Sequence, residues 1–121
     1  MKASREGAVN YQIKLMVDYQ CWPLWWSGDH NPGNIDPATL PLRAETVQQL
    51  EAWSAIFDAT LNRDDPASSA FPSEAALNNF EQHGLELWKQ LRAELEPTYT
   101  VAYYSLQRRQ LLTDPDELNN Q

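Results

Sequence analysis

Three groups of residues in this chain have types and spacing that could do chemistry. Cys21 with His30 or His83 supplies a thiol and an imidazole, the minimum for a cysteine nucleophile, and Ser68-Ser69 supplies hydroxyls. Neither histidine falls in a recognisable catalytic signature, and serines following Asp65-Pro66-Ala67 are ordinary turn residues. Asp18, Asp29, His30 and Asp36 form the second group, oxygen and nitrogen donors that a loop could gather around a divalent cation, although without a fixed ligand spacing. They define the alternative reading, a small metal-binding or hydrolytic domain built on acidic loop residues. The third group is the run Cys21-Trp22-Pro23-Leu24-Trp25-Trp26 together with the loop acids Asp29, Asp36, Asp64 and Asp65. These residues suit recognition rather than catalysis: tryptophan anchors interfaces, and converging carboxylates steer a cationic partner. With only four glycines and no paired glycine motif, nothing would cradle a phosphate. The expected site is therefore partner-binding, at Trp22, Trp25, Trp26, Asp29, Asp36, Asp64 and Asp65, with no catalytic residue, no metal and no cofactor.

The elements that must carry these residues follow from periodicity. Tyr11, Ile13, Leu15, Val17 and Tyr19 alternate with polar neighbours, which predicts a strand over 11–19 with one buried face. Residues 20–42 hold four prolines and two glycines, which forbid a long helix or a central strand. Val47, Leu50, Trp53, Phe57 and Leu61, widened by Ile56, predict a helix over about 43–62. Leu77, Phe80, Gly84, Leu87, Trp88, Leu91 and Leu95 predict a second over about 74–95, with Ser73 as its cap and Glu96-Pro97 as its stop. Tyr99, Val101 and Tyr103 then alternate in a strand over 98–105.

This order, strand, long loop, helix, helix, strand, predicts an α+β fold: a small antiparallel sheet packed against an antiparallel pair of α-helices. Two strands alone are marginal, so either the loop adds a strand or a partner, including a second copy in a homodimer, completes the sheet. The expected organisation is a flexible extension over 1–10, one domain over 11–105 and a polar tail over 106–121.

Composition narrows the function classes. The 121 residues carry a net charge of −8. Between Asp18 and Glu96 stand 13 acids against four bases (Arg43, Arg63, Lys89, Arg92), a net of −9. Such a balance argues against direct contact with nucleic acid or an anionic membrane and favours a basic partner. No apolar run approaches the roughly 20 residues of a membrane span, and the N-terminus lacks the apolar stretch of a secretory signal. A single cysteine excludes an intrachain disulfide and fits a reducing, cytoplasmic setting.

Particular strings add to this: Ile13-Lys14-Leu15-Met16-Val17-Asp18-Tyr19-Gln20-Cys21-Trp22-Pro23-Leu24-Trp25, Gly33-Asn34-Ile35-Asp36-Pro37, Leu40-Pro41-Leu42, Trp53 with Phe57-Asp58-Ala59-Thr60-Leu61-Asn62, and Asp64-Asp65-Pro66-Ala67-Ser68-Ser69. Over roughly residues 13–105 the chain resembles a family of small acidic bacterial proteins, some similar to immunity proteins of contact-dependent growth inhibition and other polymorphic toxin systems. Arg43 stands where a serine-like cap would be expected before the first helix. The resemblance implies a noncatalytic inhibitor that binds the C-terminal toxin domain of a large secreted effector in the cytoplasm of the producing cell. Many such toxins are basic nucleases, and carboxylates can take the place of the phosphates they grip.

Overall fold

A computed structural model describes residues 10–27, 33–65 and 69–115. Strand β1 (Tyr11–Leu15) is followed by two short strands, β2 (Leu24–Trp26) and β3 (Asn34–Ile35), and by a 3-10 turn at Pro37–Thr39. Helices α1 (Ala44–Asp58) and α2 (Glu74–Leu95) come next, then strands β4 (Tyr99–Ser105) and β5 (Gln110–Leu112). The five strands form one sheet in the order β3-β2-β1-β4-β5. The fold class is α+β, as the residue patterns indicate, and the loop completes the sheet with two strands of its own.

One pairing differs from expectation. β1 and β4 run parallel, Tyr11 opposite Tyr99 and Leu15 opposite Tyr103, whereas the other three pairings are antiparallel. Counting only the helix pair as a reversal gives the wrong direction. Two further reversals at β2 and β3 leave the chain at the Leu15 end of the sheet, and segment 36–43 carries it back to the Tyr11 end before α1 begins. The helices are antiparallel, since Thr46 contacts Glu94 while Trp53 contacts Phe80.

The expected strand over 11–19 leaves the sheet after Leu15, because local hydrogen bonds replace the ladder. The Asp18 carboxylate accepts from the Tyr19 N–H at 2.8 Å, and Gln20 turns through φ 61°. The apolar alternation still holds its meaning: Val17 is buried and Tyr19 stacks on Phe57 at 4.3 Å. Helix α1 ends at Asp58 rather than 62, where the Thr60 hydroxyl donates to the Phe57 carbonyl. Ile56, placed by spacing on the apolar stripe, is exposed on its flank. Helix α2 has the expected bounds, with the Ser73 hydroxyl accepting from the Ala76 N–H at 3.0 Å. The segment read as a polar tail carries β5, joined to β4 by a four-residue loop in which Arg109 takes φ 56°. Residues 1–9 of the expected N-terminal extension lie outside the described residues.

The core lies between the helices and one face of the sheet. Ile13, Leu15, Leu24, Val101 and Tyr103 meet Leu50, Trp53, Phe80, Trp88 and Leu91 there. Trp53 stacks on Phe80 at 4.5 Å and lies beside Tyr103, and its indole N–H donates to the Phe80 carbonyl. Trp88 stacks on Tyr103 at 5.6 Å and donates to the Val101 carbonyl at 2.7 Å. These bonds satisfy polar atoms that would otherwise be costly to bury. No helix among the described residues is long and apolar enough to cross a membrane.

Candidate functional site

The three loop tryptophans have separate environments. Trp26 is half-buried on the helix-facing side of the sheet, with its ring centroid 6.1 Å from that of Tyr11. Trp25, one residue earlier in the strand, projects to the opposite face, as strand geometry requires. Its indole N–H donates to the Met16 carbonyl at 2.8 Å. Trp22 precedes β2 and is 44% exposed. The cluster in sequence is therefore not one patch in space, and Trp22 is the exposed member while Trp25 and Trp26 are half-buried.

Asn34 fixes Trp22 in place. Its side-chain oxygen accepts from the Trp22 N–H at 2.9 Å, and its amide donates to the Trp22 carbonyl at 2.6 Å and the Leu24 carbonyl at 2.9 Å. The preceding residues are fixed as well. Asp58 accepts from the Gln20 N–H at 3.0 Å, and the Ser54 hydroxyl donates to the Cys21 carbonyl at 3.2 Å. Residues 20–22 are thus clamped between β3 and the last turns of α1. Asn34 was missed by sequence reasoning, and so were Asp58 and Glu51 as neighbours of Trp22. The signal for Asn34 was its position after Gly33 in a proline-rich loop, which does not specify what it bonds.

Beside Trp22 lies a shallow cleft of about 180 Å³, lined by Cys21, Trp22, Ser54, Glu51 and Asp58 among others. Its electrostatics show in the Cys21 thiol, which is pushed above its ordinary pKa by burial and then by the negative charges of Asp18 and Asp58. A second groove, about 400 Å³, runs between the helices past Trp53, Ile56, His83 and Glu86.

The loop acids are also placed. Asp36 caps the 3-10 turn, its carboxylate accepting from the Ala38 N–H at 3.0 Å. Asp64 and Asp65 are exposed in the turn after α1, where the Asn62 side chain accepts from both of their N–H groups. Asp29 and His30 lie outside the described residues, as does Ser68. Among the described residues no three His, Cys, Asp or Glu side chains are gathered closely enough to hold a metal ion.

The charge at the start of α1 is structural. Arg43 makes no side-chain cap; instead Glu94, reaching across from α2, accepts from the Arg43 N–H and the Thr46 hydroxyl. An anion at a helix N-terminus is favoured by the helix dipole. Burial alone would raise the Glu94 carboxyl, but hydrogen bonds from Thr46, Arg43 and Gln90, with the Arg43 charge, hold it below its ordinary value.

The residues that form this fold match the family model described as Serratia CdiI immunity protein-like, over residues 11–106. The chain belongs to that family. Its members are immunity proteins of contact-dependent growth inhibition systems, and membership implies neutralisation of a toxin by binding its cognate toxin domain. The matched region begins at β1 and ends just after β4, so β5 lies beyond it. Intraflagellar transport protein 74 of Chlamydomonas reinhardtii is 38% identical over 71 residues, which cover 59% of this chain and 11% of that protein. The chain thus spans about a tenth of the length of this relative.

Proposed function

We propose that this chain neutralises its toxin by direct, noncatalytic binding to the C-terminal toxin domain of a contact-dependent inhibition effector, in the cytoplasm of the producing cell. The observation that carries the reading is the family match across residues 11–106. The toxin surface it covers is basic, a nuclease active site being the kind of surface that fits best. The net charge of −8 and the acids around Trp22 support that sign. Trp22, with the loop acids Asp36, Asp64 and Asp65, contributes to the contact, and Asp29, Trp25 and Trp26 belong to the same stretch of chain.

Co-expression with a candidate CdiA toxin domain, sought in the neighbouring genes, tests the reading. The expected result is a complex that survives purification and a culture that grows where the toxin alone arrests it. No complex and no rescue would remove it.

A further inference from the structure

We infer that the cleft beside Trp22 receives a cationic side chain, arginine or lysine, from the toxin domain, with the indole as its platform and the carboxylates of Glu51 and Asp58 as its counter-charges. This inference rests on the proposed toxin binding and assigns that binding a surface. Trp22 is a large apolar side chain left 44% exposed while its own backbone is held at both N–H and carbonyl by Asn34. A ring presented on a fixed mount loses little freedom on binding, which favours its use as an anchor.

Size and charge define the occupant. About 180 Å³ is below the roughly 300–1,000 Å³ of small-molecule sites but suits one inserted side chain. The cleft lies against the C-terminal turns of α1, where the helix dipole is negative, and α1 places Asp58 there and no base in its last turn. An acid in that position opposes the dipole. Its hydrogen bond from the Gln20 N–H offsets part of the cost, and the negative potential that remains is what a cation would meet. Tryptophan is the best aromatic face for a cation, and arginine stacks on it while donating to flanking carboxylates.

The test is binding kinetics between the toxin domain found by that co-expression and three variants whose folding has been checked by circular dichroism. Trp22→Ala should weaken binding about thirtyfold, mainly through faster dissociation. Glu51→Lys, on the exposed face of α1, should slow association about tenfold at low salt and flatten its salt dependence. Glu86→Lys, an equal change of charge in the interhelical groove, should alter neither rate by more than about threefold. If Trp22→Ala does not fold, Glu51→Lys against Glu86→Lys decides. Wild-type binding with Glu51→Lys no slower than Glu86→Lys and folded Trp22→Ala unimpaired would overturn this surface and leave the proposed function standing. Failure of the wild-type chain to bind would remove both.

Discussion

Gly84→Ala should destabilise the fold sharply, although alanine is the better helix former. Gly84 sits in the middle of α2 with the aromatic core against it. A Cβ there would stand 2.7 Å from Trp53 Cζ2 and 3.0 Å from Tyr103 Cζ, and closer still to the Tyr103 hydroxyl. To reach an ordinary contact of about 3.4 Å the Trp53 ring would have to retreat by about 0.7 Å. It cannot do so freely, being stacked on Phe80 and bonded to the Phe80 carbonyl. Overpacking of this kind costs roughly 1–3 kcal/mol. Moving Tyr103 also strains its 2.9 Å bond to Glu81, a carboxylate only 4% exposed, and a buried acceptor that loses a donor costs roughly another 1–3 kcal/mol. Against this stands a gain of about 1 kcal/mol in helix propensity. The net is about 3 kcal/mol of lost stability, or roughly 10 °C in Tm for a domain of this size. Urea unfolding followed by tryptophan fluorescence, with a calorimetric scan, measures both. An alanine variant as stable as the parent, or more stable, would refute the close approach of α2 to Trp53 and Tyr103.

Tyr103→Phe should cost about 1–3 kcal/mol in urea unfolding, because among the described residues it leaves Glu81 with the Ser105 hydroxyl as its side-chain donor. Burial, and then the charge and hydrogen bond of Glu81, push the Tyr103 phenol far above its usual range. At about pH 11 the Tyr103 phenol should therefore stay protonated in the native protein and ionise in the denatured chain, a difference that Tyr103→Phe removes. Cys21 should alkylate slowly at about pH 8, and Asp58→Asn should speed it: removing a negative neighbour lowers the raised thiol pKa and increases the thiolate fraction. The folded-state pKa of Glu94 is depressed, so its contribution to stability is present above the unfolded value of 4.5 and is lost as pH falls through the lower folded value. Urea midpoints measured from about pH 6 to pH 3 should fall less steeply in Thr46→Val than in the parent, since that variant removes a donor that holds the carboxyl down.

The legible parts of this structure were those set by long apolar periods. Helix α2 has its seven-residue stripe, its Ser73 cap and its proline stop, each reinforcing the others, and its bounds follow. Strand β4 follows from Tyr99, Val101 and Tyr103 in the same way. The short strands were hidden because three residues or two carry no period, and β3 and β5 exist through pairing with the strand that precedes each in sequence. Parallel pairing of β1 with β4 depends on how often segments without periodicity reverse the chain, which no local pattern records. At the candidate site, the exposed tryptophan was within the sequence signal but not distinguishable from its neighbours. Trp25 and Trp26 take opposite faces because they lie in a strand, and Trp22 is exposed because Asn34 holds it before the strand begins. Asp36 also caps the 3-10 turn, a role that the following proline makes readable.

Neutralisation by stoichiometric binding is tested by titrating the toxin domain's activity with purified chain. Residual toxin activity should fall linearly with added chain and reach its floor at one equivalent per toxin. It should return when the complex is dissociated and the toxin refolded, since nothing in the toxin has been altered. Loss of activity at far below one equivalent, growing with time, would show that this chain acts on the toxin catalytically. Activity unchanged at several equivalents would show that it does not neutralise that toxin at all.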